Sequence, residues 1–206
     1  MRKMIKLLVL AVFMSGCAAT VPNVKLDAVE RQNIRVVAIN ENVTKKTELF
    51  YGGGMGAGVA FGLVGGLISG SINDKEGAII KATVADNKLE IDKIVLEEMT
   101  TAFKQAGKFP TAAAGDKTAT LMNIEIEQYG FQSADGLSDT LVPVISLKCT
   151  IQNGAGKVVW NVADNVGKGK DVKTVHLSEI KTNPALIAET WRNASKIVVA
   201  KILAEL

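Results

Sequence analysis

Hydrophobic and polar residues alternate most clearly in the second half of the chain. Over Thr118–Phe131, Met122, Ile124 and Ile126 fall on one face, and Asn123, Glu125 and Glu127 on the other. That period of two predicts a half-buried strand. Thr140–Gln152 predicts a second strand and Lys157–Ala163 a third, with Asn153-Gly154-Ala155-Gly156 as the hairpin loop between them. Pro143 predicts an edge position or a strand start. Trp160 shares a face with Val158 and Val162 and is expected in the core. Nearer the N-terminus, Asn33–Ile39 is rich in β-formers, and Val43–Phe50 alternates weakly; both are expected as strands.

Helical spacing appears twice. Ile91, Ile94, Val95, Met99, Ala102, Phe103 and Ala106 recur on one helix face, with Gly107 suited to its end. Asn87-Lys88-Leu89-Glu90 in front of them resembles a capping box. The second stripe is Ile187, Trp191, Ala194, Val198 and Ile202, following Asn183-Pro184 as cap and first helical residue. Trp191 reads as core or as an interface anchor. Lys168-Gly169-Lys170 marks a loop. Together these elements predict an α+β fold, a small mostly antiparallel sheet with two amphipathic helices on one face. The order of elements resembles small periplasmic lipoprotein domains, such as accessory lipoproteins of transporters and of cell-wall synthases.

The first residues follow a different pattern. Met1–Lys6 is basic, Leu7–Met14 is an eight-residue apolar run, and the small Ser15 and Gly16 precede Cys17. These three regions describe a secretory signal, and eight residues are too few to span a bilayer. Met14-Ser15-Gly16-Cys17 resembles the lipobox of bacterial lipoproteins, with Met14 where the family usually has Leu. The resemblance implies a signal peptide over 1–16 and cleavage before Cys17. It also implies a diacylglycerol on the Cys17 sulfur and a fatty acyl group such as palmitate on its new amino group. Residues 17–30 would then be the acylated tether. Ala18, where Asp would imply inner-membrane retention, points by the same family rule to the outer membrane. Two or three acyl chains anchor firmly, where one is marginal. The other reading is an ordinary signal peptide with a chance cysteine.

A glycine-rich segment interrupts the expected domain of residues 31–206. No charged residue occurs from Leu49 to Asn73, and nine of the 22 residues in Tyr51–Ile72 are glycine. Gly54, Gly58, Gly62, Gly66 and Gly70 keep strict four-residue spacing. On a helix they would leave a groove without side chains along one side. In water such a helix is penalised by about 1 kcal/mol per glycine relative to alanine. In a bilayer the backbone must bond to itself, and small residues let two helices approach closely. The ladder resembles the glycine-zipper segments of Gram-negative outer-membrane lipoproteins, which implies membrane insertion and self-association. One span of about 33 Å would cross the hydrocarbon core and place 17–50 and 74–206 on opposite sides. A hairpin turning near Gly65-Gly66 would keep both on the periplasmic side. Two other readings are a dinucleotide-binding loop, from Gly52-x-Gly54-x-x-Ala57 with Asp74, and a soluble glycine loop. The first lacks the strand–helix–strand context that such a loop needs, and the second would be poor in Ser, with Ser69 and Ser71 alone, and without Asn or charge over Tyr51–Ile72.

Charge adds little. The net charge is +3, but residues 1–16 carry Arg2, Lys3 and Lys6 and no acid. Without these three, 21 basic residues face 21 acidic ones, which points to no nucleic-acid partner. Lys45-Lys46 is a short surface pair. Residues for catalysis are scarce: His176 is the single histidine, and no second His or available Cys completes a zinc site. Glu97-Glu98 and Glu125/Glu127 read as solvated faces, with a hydrolytic dyad as the sharper alternative. Cys149 shares a face with Ile145, Leu147 and Ile151 and reads as a buried thiol. The expectation is a non-enzymatic lipoprotein without catalytic residues, metal or cofactor beyond the lipid on Cys17. It would be outer-membrane, homo-oligomeric through the ladder, and structural in the cell envelope. The alternatives are an accessory module docked on a transporter, secretion or cell-wall synthesis complex, and an enzyme of the envelope.

Overall fold

A computed structural model of the chain describes residues 23–52, 75–112, 116, 118–135, 138–167, 169 and 171–206. Its described elements are, in order, α1 (Ala28–Asn33), β1 (Val37–Ile39), β2 (Thr44–Lys45), β3 (Phe50–Gly52), α2 (Lys75–Asp86) and α3 (Ile91–Ala106). Then come β4 (Thr120–Ser133), β5 (Thr140–Gln152), β6 (Val158–Val166), β7 (Val175–His176), α4 (Leu177–Thr182) and α5 (Ala185–Ala204). The fold is α+β, with one seven-stranded mixed sheet.

The antiparallel half follows the alternation. β4 pairs with β5 and β5 with β6, with Ile124 opposite Cys149 and Cys149 opposite Val162. The Asn153–Lys157 turn closes through Asn153 N to the Lys157 carbonyl and Gly156 N to the Asn153 carbonyl. Met122, Ile124, Ile126, Leu147, Cys149 and Ile151 are buried together on the helix-facing side. A bulge between Ile126 and Gln128 shifts the β4 register. Beyond it Tyr129 and Phe131 turn inward, so the even-numbered core face becomes odd-numbered. Pro143 pairs with Phe131 on one side only. On its other side the β6 ladder reaches Ile145 and the β7 ladder reaches Leu141, which leaves a gap at the proline. The expected edge position is thus a local one inside a long strand.

The N-terminal half corrects the expectation of a small, mostly antiparallel sheet. β1, β2 and β3 all pair with β4, and all three run parallel to it. They are three pieces of one edge. The Asn40–Val43 break between β1 and β2 is held by Asn42 N on Asn40 Oδ1 and by Asn40 Nδ2 on Asn123 Oδ1, at 3.0 and 2.8 Å. The strand expected over Asn33–Ile39 begins only at Val37. Asp27 accepts from Glu30 N at 2.8 Å and starts α1 in its place. The strand expected over Val43–Phe50 is split into β2 and β3.

Five helices are described where two amphipathic ones were expected beside the glycine-rich segment. α3 and α5 are those two, packed on one another and on the sheet. α5 buries Ile187, Trp191, Ala194, Val198 and Ile202, the predicted stripe. Trp191 is core, edge-on to Tyr129 and stacked near Phe131 at centroid distances of 5.8 and 5.9 Å. Asn87 does not cap α3. Its Nδ2 donates to the Thr83 carbonyl at 2.8 Å and closes α2, while Glu90 occupies the α3 cap position. Gly107 ends α3 at φ 60, the left-handed turn the sequence predicts. Asn183, expected to cap α5, instead closes α4 in an extended conformation at φ −138, and Pro184 takes the α5 cap position, one residue later than expected.

The proposed membrane-type helix over 51–72 meets the structure only at its start, where Tyr51 and Gly52 belong to β3 and not to a helix. Gly54, Gly58, Gly62, Gly66 and Gly70 lie outside the described residues, as does Cys17. Among the described residues no helix is long and apolar enough to cross a membrane. Because β1–β3 and β4–β6 form one sheet, 23–52 and 75–206 lie on the same side of any membrane. The alternative that separates them is excluded.

Candidate functional site

Two regions of the described chain adjoin the segments on which the anchors are expected, residues 17–22 and 53–74, and they sit at opposite corners of the sheet. The first is the tether corner. Val24 bridges Asn161 on the outer edge of β6, with backbone bonds of 2.8 and 2.9 Å in both directions. Asn23 Oδ1 accepts from Ala163 N at 3.3 Å. Lys201 Nζ donates to the Asn165 carbonyl at 3.1 Å, farther along the same edge. An open strand edge invites pairing with another chain, and these groups cover it. α1 continues the strap. Glu30 takes Lys157 at 3.4 Å, and Arg31 donates to the Leu206 carbonyl while lying over the Phe109 ring. The C-terminal carbonyls of α5 are covered further by Lys108 Nζ on Leu203 O at 2.7 Å and by Trp160 Nε1 on Glu205 O at 3.2 Å. Cations and donors at a helix C-terminus satisfy its orphan carbonyls and its dipole.

The second region is the root of the glycine-rich segment. β3 leads into it and α2 leads out, and the two touch. The Tyr51 hydroxyl donates to Glu76 Oε2 at 2.7 Å. Gly77 lies against the Tyr51 ring, where an added Cβ would come within 3.1 Å of Cδ1. Lys81 reaches Glu48 at 3.3 Å beside them. The segment therefore departs and returns at one place. Val24 stands level with Asn123 through Asn161 and Thr150, whereas Phe50 stands opposite Gly130. Strand rise and spacing separate the two corners by about 25 Å.

The remaining sequence candidates fall elsewhere and do not converge. Cys149 is fully buried, and burial pushes its thiol up to about 12. His176 stands at the start of α4, with Nδ1 3.3 Å from Asp139 Oδ1 and its backbone N–H on Glu179 Oε2 at 3.0 Å. Lys45 pairs with Asp92 at 3.0 Å, which holds its ammonium above the usual range, and Lys46 pairs with Glu125 at 2.9 Å. Glu127 accepts from Ser146 at 3.3 Å on the outer face of the sheet.

Glu97-Glu98 departs from the solvated reading. Arg192 on α5 donates to Glu97 at 2.8 Å and to Glu98 at 2.9 Å, and Glu98 is only 7% exposed. The carboxylates, Glu97 first, hold the Arg192 guanidinium above its ordinary value. The pair is a clamp between α3 and α5 at the floor of an open groove that also includes Thr101, Gln105 and Lys196. Sequence spacing gave no sign of it, since Arg192 is 94 residues from Glu98.

No family model matches this chain, and no curated protein matches it. Among solved structures, it is similar to a Xanthomonas campestris protein described as DUF330, with 16% identity and a TM-score of 0.40. That match covers 54% of this chain and 58% of the other, so it spans little more than half of that protein's length. The chain is also similar to the PelC dodecamer from Paraburkholderia phytofirmans, with 14% identity and a TM-score of 0.41 over 91% of this chain and 98% of that one. A variant of the PelC dodecamer in another crystal form matches at 16% identity and a TM-score of 0.35, over 85% and 96% of the two chains. With all three TM-scores below 0.5, the functional reading is left to this chain's own residues.

Proposed function

We propose that this chain is a non-enzymatic outer-membrane lipoprotein, held by acyl chains on Cys17, that self-associates through its glycine ladder and presents its α+β domain to the periplasm. Its role is structural, in the assembly or integrity of the cell envelope. The observation that carries the reading is the ladder itself, Gly54, Gly58, Gly62, Gly66 and Gly70, in a stretch without a charged residue from Leu49 to Asn73. Its position supports the reading: it is inserted where Tyr51 and Glu76 close the domain at the root. Glycine faces let backbones approach within packing distance. Acyl chains confine the copies to one surface and raise their effective concentration.

The test is crosslinking of intact cells, comparing the protein with a variant carrying Gly58→Leu, Gly62→Leu and Gly66→Leu. A regular ladder of multimers is expected, lost in the variant, while the circular dichroism and melting of the domain stay unchanged. Multimers that survive the substitutions overturn the reading. A single heavier adduct, unaffected by them, favours the accessory module bound to another envelope protein.

A further inference from the structure

We propose that the tether corner of the domain is a membrane-contacting surface, seated on the phospholipid headgroups of the bilayer that holds the Cys17 acyl chains. The proposal rests on the lipoprotein reading above and adds an orientation to it. Three large apolar side chains stand exposed among the described residues, Val29 at 69%, Leu121 at 40% and Val158 at 36%. They are not scattered. Leu121 lies opposite Gln152, and Gln152 lies opposite Val158, so Leu121 and Val158 share one row across the end of the sheet. Val29 is on α1, which the Glu30–Lys157 contact at 3.4 Å ties to the residue next to Val158.

Cations flank these residues. The side chains of Lys25 and Lys157 are 84% and 69% exposed, and each has one acidic partner, at 3.9 and 3.4 Å. Arg35, also exposed, follows α1. Apolar side chains set among lysines and arginine match a headgroup layer, which takes shallow apolar insertion and presents phosphates to cations. The length of chain fixes the occupant. Only six residue steps separate Cys17 from Asn23, which is bonded to β6. Fully extended, they span about 20 Å. An acylated Cys17 therefore keeps this corner within one tether length of the bilayer, whichever way the rest of the domain leans.

The test uses the full lipidated chain in vesicles of phosphatidylethanolamine and phosphatidylglycerol that contain a lipid with a shallow acyl nitroxide. Single cysteines are placed by Val158→Cys and, separately, Val29→Cys, and carry an environment-sensitive fluorophore. Cys149 is buried and stays unlabelled. Lys181→Cys, exposed on α4, is the reference. Labels at 158 and 29 are expected to be quenched at least about threefold more than the label at 181, as for side chains at the headgroup boundary. Equal quenching at the three positions overturns the proposal. So does a label at 158 that is shielded from water yet not quenched by the lipid, which would mean that a second copy covers the corner. The intact mass of the purified protein separates the two levels. An acylated protein with an unquenched 158 label sinks the orientation alone, and an unacylated mature protein sinks the lipoprotein reading and the orientation with it.

Discussion

The hydroxyl of Tyr51 and the carboxylate of Glu76 meet at 2.7 Å, across a stretch of 25 residues that includes the whole glycine ladder. The bond joins the end of β3 to the first turn of α2. Tyr51 is 4% exposed, so its ring belongs to the core while its hydroxyl faces the root. Tyr51→Phe is expected to cost about 1.5–3 kcal/mol, the usual value for a hydrogen bond to a charged acceptor. Chemical denaturation with an unchanged slope checks it. Glu76→Gln, which keeps an acceptor, is expected to cost less.

Gly130 should tolerate no side chain. Its φ is 147°, and a Cβ there would lie 1.9 Å from the Phe50 carbonyl oxygen. β3 sits this close only because the position is bare. Gly130→Ala is expected to detach β3 from β4, or to cost more than about 3 kcal/mol. Hydrogen exchange at Tyr51 and Gly52 reads the local outcome and melting reads the global one.

The Arg192 clamp predicts unequal carboxylates. Glu97 is largely exposed and Glu98 is buried, yet both accept from the same Nη1. Arg192→Ala is expected to destabilise by about 1–2 kcal/mol, less than for a fully buried pair because solvent reaches the guanidinium. Adding Glu98→Gln to Arg192→Ala should recover part of the loss, and adding Glu97→Gln should recover little. A double-mutant cycle measured by urea melts decides between them.

Cys149 links stability to alkaline pH. Burial raises its thiol from 9.0 to about 12, so the folded state holds the proton after the unfolded state has released it. The contribution is complete below pH 9 and is lost as pH rises towards about 12. Cys149→Ala should flatten that part of the pH–stability curve relative to the parent. Thiol reagents at neutral pH should leave native Cys149 unmodified and label it once denaturant is added.

Ser195 offers a stabilising change. It is fully buried on α5, and its Oγ has no hydrogen-bond partner among the described residues. Ser195→Ala removes an unsatisfied hydroxyl with little change of volume. A gain of about 1 kcal/mol is expected, raising Tm by about 2–4 °C for a chain of this size.

The parts of the fold legible in the sequence are those whose signal and partner are close together. The β4–β5–β6 meander has short loops, so alternation and turn residues define β5 to the residue and the ends of β4 and β6 to within three. α3 and α5 show full apolar stripes. The parallel pairing of β1–β3 carries no local mark, because Val37 and its partner Thr120 stand 83 residues apart in the chain. α1 carries a signal that alternation obscured: Asp27-Ala28-Val29-Glu30 is a capping pattern, and the helix it starts shortens the strand expected from Asn33. α2 shows Gly77, Ile80 and Val84 at helical spacing, overshadowed by the ladder before it. Of the candidate site, the sequence offers Cys17 and the glycines. The strap of Asn23 and Val24 on β6, and the closure of Tyr51 on Glu76, come only from tertiary contacts.

The parallel edge also sets an order of events. Asn40 bonds Asn123 across 83 residues, and among the described residues β1, β2 and β3 all take β4 as their strand partner, with an isolated bridge from Val37 to Thr111 on the far side of β1. A nascent chain exposes these strands long before their template exists. The meander is local in sequence and is expected to form first, and the first strands then join it at the entropic cost of closing a long loop. The arrival of β1–β3 is therefore the expected slow step of folding, and a destabilised β4 would be felt first as aggregation of the strands that wait for it.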